Sequence, residues 1–378
     1  MVDEYRSLYN LLSCDSHSNI RSSPDCPLLA VLTPLPGCDK NVSNKELEAR
    51  ISLSPLAYCL LQMLLLKNTS IDTILSMAEI IEAVEESLKE MALGQGFDLP
   101  RRRIHHPNRM IFGLLPGSFQ GAMGAYIQTD LDRRLHHETV ILYSVETGEP
   151  LILFQDCRIN ELRTGAGGGV GAKHLAKKNA RRVAVLGSGA HAETQLQAVC
   201  AVRTITDAKV FSPTPEHRQS VAEKMSRELK IDVRPAKSPE EALEDADVVI
   251  AVTNSRTPVF DGNSLRDGAH VTSISNGDKT RTRQEIDETT IRRSDLLYIT
   301  SKETVCVNES DIFRAVRDGV TSWERVYEIG DLLLEKAPAR TSDKQITLYK
   351  LQGIGIMDVA VGLRAYERLK NDPSVQRF

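Results

Sequence analysis

The chain has 378 residues, 41% of them hydrophobic and 26% charged, with a formal net charge of −4. This is the balance of an ordinary globular protein, long enough for two domains or one large one and able to bury a core without disulfides or metals. The slight acidity removes any long-range reason to bind nucleic acid, and the basic triplet in Pro100–Arg103 reads as a solvated face.

Residues 1 to 70 are compositionally distinct, with four of the seven cysteines (14, 26, 38, 59, 157, 200 and 306) and one apolar run, Leu53 to Leu66. That run is too short to span a bilayer and too far from the start for a signal peptide. No two cysteines form a CxxC pair and their number is odd, so a reduced cytoplasmic protein without a zinc site is expected. A dimer arm, an extra layer on a substrate domain and a disordered leader all stay open for this segment.

Helical periodicity begins after Ser76, an N-cap candidate, with Met77, Ile80, Ile81, Val84, Leu88 and Met91 on one face and Gly94 and Gly96 as the stop. Extended stretches follow at Met110–Leu115, Gly124–Thr129 and Glu138–Ser144, and the turn ETGEP makes a hairpin of Thr139–Asp156. From Arg181 short apolar strands (RRVAVLG, AKVFS, IDVRPA, DVVIAVT, HVTSIS, DLLYIT) alternate with helical stretches. That alternation predicts an α/β fold with a doubly wound parallel sheet. After about Ser310 the pattern turns helical through ITLYKLQGIGIMDVAVGLRAYERLK, and no internal repeat is visible.

Two glycine clusters stand about twenty residues apart. VAVLGSGAHA fits G-x-G-x-x-G/A at Gly187, Gly189 and Ala192, with an apolar strand leading in and a helix leading out through Ala190 and His191. Such a turn brings backbone close to a pyrophosphate at a helix N-terminus. The earlier cluster, Gly165 to Gly171, ends Ala172-Lys173-His174, without the hydroxyl that a P-loop lysine precedes. It is expected to be a Gly/Ala-rich start to a tightly packed helix. The strand after the dinucleotide turn ends Val210-Phe211-Ser212-Pro213-Thr214, with no carboxylate for a ribose until Glu216. Ser212, Thr214 and Arg218 would accommodate a 2′-phosphate, which favours NADP slightly over NAD.

The segment INELRTGAGGGVGAKHLAKKNARRVAVLGSGAHAETQ resembles the ornithine cyclodeaminase/μ-crystallin family, whose members read RTAA…A…LA before the GxGxxA. EEALEDADVVIAVT, VTSISNGD…EID and ITLYKLQGIGIMDVA extend the resemblance from about Thr73 to Lys370. It implies a homodimer with a Rossmann domain at 171–310 and a substrate and dimerisation domain built from 71–170 plus 311–378. It also implies a nicotinamide cofactor and a small amino acid, imino acid or 2-oxo acid as substrate.

The resemblance assigns Arg163 to the substrate carboxylate, a task that suits a guanidinium fork, and places Arg103 as a second arginine, its register within the triplet open. Where the family carries a lysine, this chain has Tyr126. A neutral phenol donates or accepts a hydrogen bond, so Tyr126 is either a proton donor to an imine nitrogen, the shaper of a different pocket or a packed aromatic. Asp278 resembles the cyclodeaminase aspartate near the substrate amine, though the spacing to Glu285 is one residue longer than usual. Thr164, Thr253 and Asn254 are expected beside the cofactor. The pairs His105-His106 and His136-His137 would point to opposite faces of a strand, which argues against a metal.

Three activities follow from the resemblance. The first is an NAD(P)-dependent oxidoreductase that reduces a small α-imino acid or reversibly dehydrogenates the amino acid. The others are a cyclodeaminase-type lyase that recycles its cofactor within one turnover, and a non-catalytic nucleotide-binding protein. Loss of the lysine counts somewhat against the second.

Overall fold

The computed structural model describes residues 63–131, 135–275, 277 and 282–377. Asp278 and nearly all of the N-terminal segment lie outside them. The first sheet takes β1 (Leu64–Lys67), β2 (Phe97–Asp98), β3 (Arg102–His105), β4 (Met110–Phe119), β5 (Ala122–Leu131), β6 (Leu135–Ser144) and β7 (Pro150–Gln155), with α1 (Met77–Ala92) between β1 and β2. Helix α2 (Ile159–Leu175) leads to β8 (Arg182–Leu186), α3 (Ala190–Val202), β9 (Asp207–Phe211), α4 (Pro215–Leu229), β10 (Asp232–Pro235), α5 (Pro239–Leu243) and β11 (Val248–Ala251). Then come β12 (His270–Ser273), α6 (Glu288–Arg293), β13 (Leu296–Ile299), α7 (Lys302–Val307), α8 (Asp311–Arg317), β14 (Val326–Glu328), α9 (Ile329–Leu333) and β15 (Thr347–Lys350). Helix α10 (Gly355–Leu369) and β16 (Gln376–Arg377) return to the first sheet.

The first sheet runs β16-β1-β7-β6-β5-β4-β2, with β3 also on β4, and is antiparallel except where β1 lies parallel to β7. The expected hairpin is β6–β7, and all three predicted stretches run longer than their apolar cores suggested. In β4 the alternation is plain: Ile111, Gly113 and Leu115 are buried while Phe112 is exposed. Buried side chains of this face meet α10 and α1 in one core that includes Leu115, Val140, Phe154, Met357 and Val361. Helix α1 starts as read, with Ser76 and Glu79 forming a reciprocal capping box.

The second sheet is parallel throughout, in the order β10-β9-β8-β11-β12-β15-β13-β14. Its central strands β11, β12, β13 and β15 are buried along their whole length, as strands covered on both faces must be. Two differences from the sequence reading emerge here. Thr347–Lys350, expected as helix, is a strand inserted between β12 and β13, and Val326–Glu328 forms the edge. A four-residue buried run carries too little periodicity to reveal itself, and this sheet therefore extends past residue 310.

The first glycine cluster lies in the middle of α2 rather than at its start, because the helix begins at Ile159. Its glycines let four neighbours approach. A Cβ at Gly165 would come within 2.7 Å of the Thr194 carbonyl carbon on α3, and one at Gly169 within 2.9 Å of Ile81 on α1. At Gly167 it would meet Met357 of α10 at 2.8 Å, and at Gly171 the Tyr349 ring of β15 at 2.5 Å.

Candidate active site

Residues of both sheets line a cleft of about 850 Å3. One end is the carboxyl edge of the parallel sheet at β8, whose neighbours are β9 on one side and β11 on the other. Such a reversal of strand order opens a crevice beyond the strand ends. Gly187 there has φ +134°, and a Cβ would run into the Val252 carbonyl, so only glycine fits the turn. Gly189 is different: nothing lies within 4 Å of where its Cβ would be, which leaves backbone open to the cleft. It also caps α3 without a side-chain hydrogen bond, so the first N–H groups of that helix stay available to an anion. His191 lines the same end with Nδ1 buried and unpartnered, and burial, then Arg163 and Arg101, pushes its imidazole down to about 4. These features fit a dinucleotide pyrophosphate.

The loops beyond β11 and β12 are held by one buried carboxylate. Glu285 accepts hydrogen bonds from the backbone N–H and hydroxyl of Thr253, from Ser273 Oγ at 2.8 Å and from the N–H groups of Ile274 (3.0 Å) and Ser275 (2.8 Å). Lys350 lies behind it, with Nζ 2.9 Å from Ser273 Oγ and 3.1 Å from Asp311. Thr253 is thus a clamped loop residue that also lines the cleft, as Asn254 does.

The other end is built on the first sheet and α2. Arg163 is 1% exposed; Nε donates to Asp358 Oδ1 at 2.9 Å and Nη1 to Thr164 Oγ1 at 2.7 Å. Thr164 in turn donates to the Asn160 carbonyl at 2.6 Å. The guanidinium lies against Gly353, where a Cβ would come within 2.7 Å of Cζ. Its Nη2 has no partner, and neither has the buried Nε of Arg101, which lines the same cleft. Burial first, then Arg103 and Arg163, lowers Arg101 to about 9. Asp358 is fully buried and pushed up by that burial, with Arg163 opposing.

Strand register explains which sheet residues meet here. Arg103 pairs with Gly113, Gly113 with Gln128, and Gln128 with Glu138, a row across four strands on the cleft face. Tyr126, 1% exposed and paired with Leu115 and Val140, lies one step along on the same face. Burial, then Glu138, holds its phenol well above the usual value. Glu138 is 9% exposed, and burial, then Asp358 and Glu161, pushes it up to about 7.

The profile of the ornithine cyclodeaminase/mu-crystallin family matches residues 62–372. The chain belongs to that family. Within it, Delta(1)-pyrroline-2-carboxylate reductase of Bacillus cereus is 27% identical over 316 residues, which is 81% of this chain and 96% of that protein. The Thermococcus litoralis Delta(1)-pyrroline-2-carboxylate reductase, solved with NADH and L-proline, superposes with a TM-score of 0.78 at 30% identity, covering 84% of this chain and 100% of that one. An archaeal alanine dehydrogenase dimer with bound NAD superposes at 0.76 with 28% identity, covering 84% and 99%.

Of the residues singled out in the sequence, Tyr126, Arg163, Arg103 and Thr164 line the cleft at the end nearer the first sheet. Gly187, Gly189, Ala190, His191, Ser212, Thr253 and Asn254 line it at the parallel-sheet end. Ala192 is buried beneath the turn, and Thr214 and Arg218 lie off the cleft; Arg218 Nη1 donates to the Ser212 carbonyl at 2.8 Å and stacks over Phe211. Asp278 lies outside the described residues. Sequence reasoning missed Arg101, Glu138, Gly353 and Asp358. For Arg101 a signal existed, since alternation puts residues 101 and 103 of an extended triplet on one face. His137 contacts Asp156 at 3.1 Å and His106 contacts Asn108. Among the described residues, no three His, Cys, Asp or Glu side chains are grouped to hold a metal ion, and no helix is long and apolar enough to cross a membrane.

Proposed function

We propose that this protein is an NAD(P)-dependent oxidoreductase that reduces a small α-imino acid to the amino acid, or runs the reaction in reverse. The observation that carries this reading is the pair of buried guanidinium donors without partners, Arg163 Nη2 and Arg101 Nε, in the cleft whose far end is the glycine turn. An unsatisfied buried donor is costly, and a substrate carboxylate satisfies both. Arg103 adds positive charge on the same face, and Thr164 and Asp358 fix the Arg163 fork.

The nicotinamide cofactor supplies or accepts the hydride. The chain's own groups do the rest: Gly187, Gly189, Ala190 and His191 hold the cofactor's phosphates, the clamped loop of Thr253 and Asn254 borders its other half, and Arg163 with Arg101 orients the α carbon toward it. Tyr126, neutral near pH 7, hydrogen-bonds the substrate nitrogen. Asp278 remains the candidate carboxylate for a substrate amine. Ser212 and the Arg218 guanidinium behind it, with no carboxylate at the end of β9, favour NADP.

We assign the second sheet to the cofactor and the first to the substrate and to dimerisation, in a cytoplasmic enzyme. Ile104 (67% exposed), Phe112, Met123 and Tyr143 share the outer face of the first sheet, a surface suited to a second copy of this chain.

The test is NADPH and NADH absorbance decay with Δ1-pyrroline-2-carboxylate and with 2-oxo acids plus ammonia or methylamine. Net oxidation supports the reading. No oxidation with any of them, together with ammonia release from ornithine, would move the assignment to a lyase.

A further inference from the structure

We propose that the Glu138 carboxyl carries the proton that the substrate nitrogen gains on reduction and loses on oxidation. This rests on the reductase reading above. Among the described residues lining the cleft, outside which Asp278 lies, there is no lysine, so within that set the proton falls to another group. Tyr126 holds its proton too tightly, since burial raises its phenol well above the usual value, and His191 is pushed down to about 4 and carries no spare proton near pH 7.

The other described carboxylates of the cleft are committed. Asp156 accepts from the Glu138 N–H at 2.9 Å and contacts His137, while Glu161 accepts from Arg158 Nε at 2.7 Å. Asp130 has a partner of its own. The Glu138 carboxylate alone takes no hydrogen bond from a described residue, although it is 9% exposed. It stands in the cross-strand row that begins at Arg103, one step from Tyr126.

The described groups that set its charge come from several elements. Asp358 of α10, Glu161 of α2 and Asp156 after β7 favour the protonated form, and Arg163 of α2 opposes them. Tyr126 of β5 lies close enough to be raised by it, and Arg101 before β3 acts on that same phenol. With burial the result is a carboxyl poised at about 7, where a group can both give and take a proton.

The transfer balances simply. The α carbon of the imine accepts the hydride that the reduced nicotinamide supplies. The C=N π pair becomes a lone pair on nitrogen, and that pair takes the Glu138 proton. Water entering the cleft reprotonates the carboxylate. Oxidation reverses each transfer.

The experiment uses the full chain and its Glu138→Gln and Glu138→Asp variants. One readout is the pH profile of kcat/KM with Δ1-pyrroline-2-carboxylate. The other needs no turnover: the protons exchanged when the inert planar mimic pyrrole-2-carboxylate binds, counted by calorimetry in two buffers of unlike ionisation enthalpy. Cofactor binding within a few-fold of the unsubstituted chain verifies the fold of each variant. The proposal expects a kcat loss of about 100-fold or more for Glu138→Gln, disappearance of the limb near pH 7 and of the proton exchange, and partial recovery in Glu138→Asp. A Gln variant that keeps kcat within about threefold, the pH limb and the proton count overturns it. If the unsubstituted chain oxidises no cofactor, the reductase reading falls. The proton count then still judges Glu138, and an exchange unchanged by Gln overturns its role.

Discussion

Gly353 has no chemistry of its own, yet it decides where the Arg163 guanidinium lies. A methyl there would press on Cζ at 2.7 Å, and the arginine is already pinned by Asp358 and Thr164, so it must shift as a whole. Displacements of about 1 Å in a positioning group cost on the order of 100-fold. Gly353→Ala is therefore expected to lower kcat/KM for the imino acid by about that factor while leaving cofactor binding intact, read by steady-state kinetics beside fluorescence titration with NADPH. Glu138 offers a residue-scale test of stability. Its carboxyl sits at about 7 in the folded chain against an ordinary 4.5, so the folded state binds the proton more tightly than the unfolded state. Stability then falls as pH rises from about 4.5 through about 7, a penalty of roughly 3 kcal/mol that is complete above that range. Glu138→Gln should melt at higher temperature than the unsubstituted chain at pH 8, and the gain should vanish below about pH 4.5. A gain of equal size at both ends of a thermal series would mean that packing, not ionisation, is responsible.

At the scale of elements, α2 shows how a helix can be glycine-rich and still stable: each missing side chain is replaced by a neighbour's atoms. The neighbours differ in how far they can yield. Gly165 faces the Thr194 backbone within 2.7 Å, which cannot move without dragging α3, while Gly168 faces the flexible Gln195 amide, bonded through Nε2 to the Thr164 carbonyl at 2.7 Å. Overpacking costs about 1–3 kcal/mol, and Gly165→Ala should lie at or above the top of that range, with Gly168→Ala below it, measured by urea denaturation. Equal losses would show that the Gln195 side chain is as fixed as backbone. This element also marks the limit of what the sequence makes legible. The close packing was readable from the absence of bulk between Gly165 and Gly171. The helix start was not, since Arg158 enters it in a left-handed conformation with no side-chain cap to announce the boundary. The turn at Gly187–Ala192 was readable because strand, glycines and helix agree over a short span. Glu138 was not, because a carboxylate in LHHETVIL looks like the wet face of a strand until pairing with Gln128 turns it toward the cleft.

At the scale of the whole molecule, the first sheet has one face covered by α1 and α10, and on the other, among the described residues, Ile104, Phe112, Met123 and Tyr143 are exposed. In the proposed dimer, charge placed on that outer face, as in Ile104→Asp, is expected to shift sedimentation velocity from dimer to monomer without disturbing α10 behind the sheet. A single species of unchanged size would remove this face as the interface. The doubly wound character of the second sheet was legible from its alternating strands and helices, whereas its outer order was not. Long-range pairing is decided by which buried run closes the sheet, and no local signal in Thr347–Lys350 says that it will pass between β12 and β13.

That insertion bears on how the gene can be cut. A fragment ending at residue 310 would keep β12 and β13 but lose both β15 between them and β14 beyond, leaving β12 with one raw edge and β13 with two, all of them paired in the native sheet. The half that carries the parallel sheet is thus no detachable cassette, although its glycine turn sits in one contiguous stretch. Splitting, permuting or grafting this protein has to carry Thr347–Lys350 along, and with it the short link to α10 in which Gly353 seats Arg163.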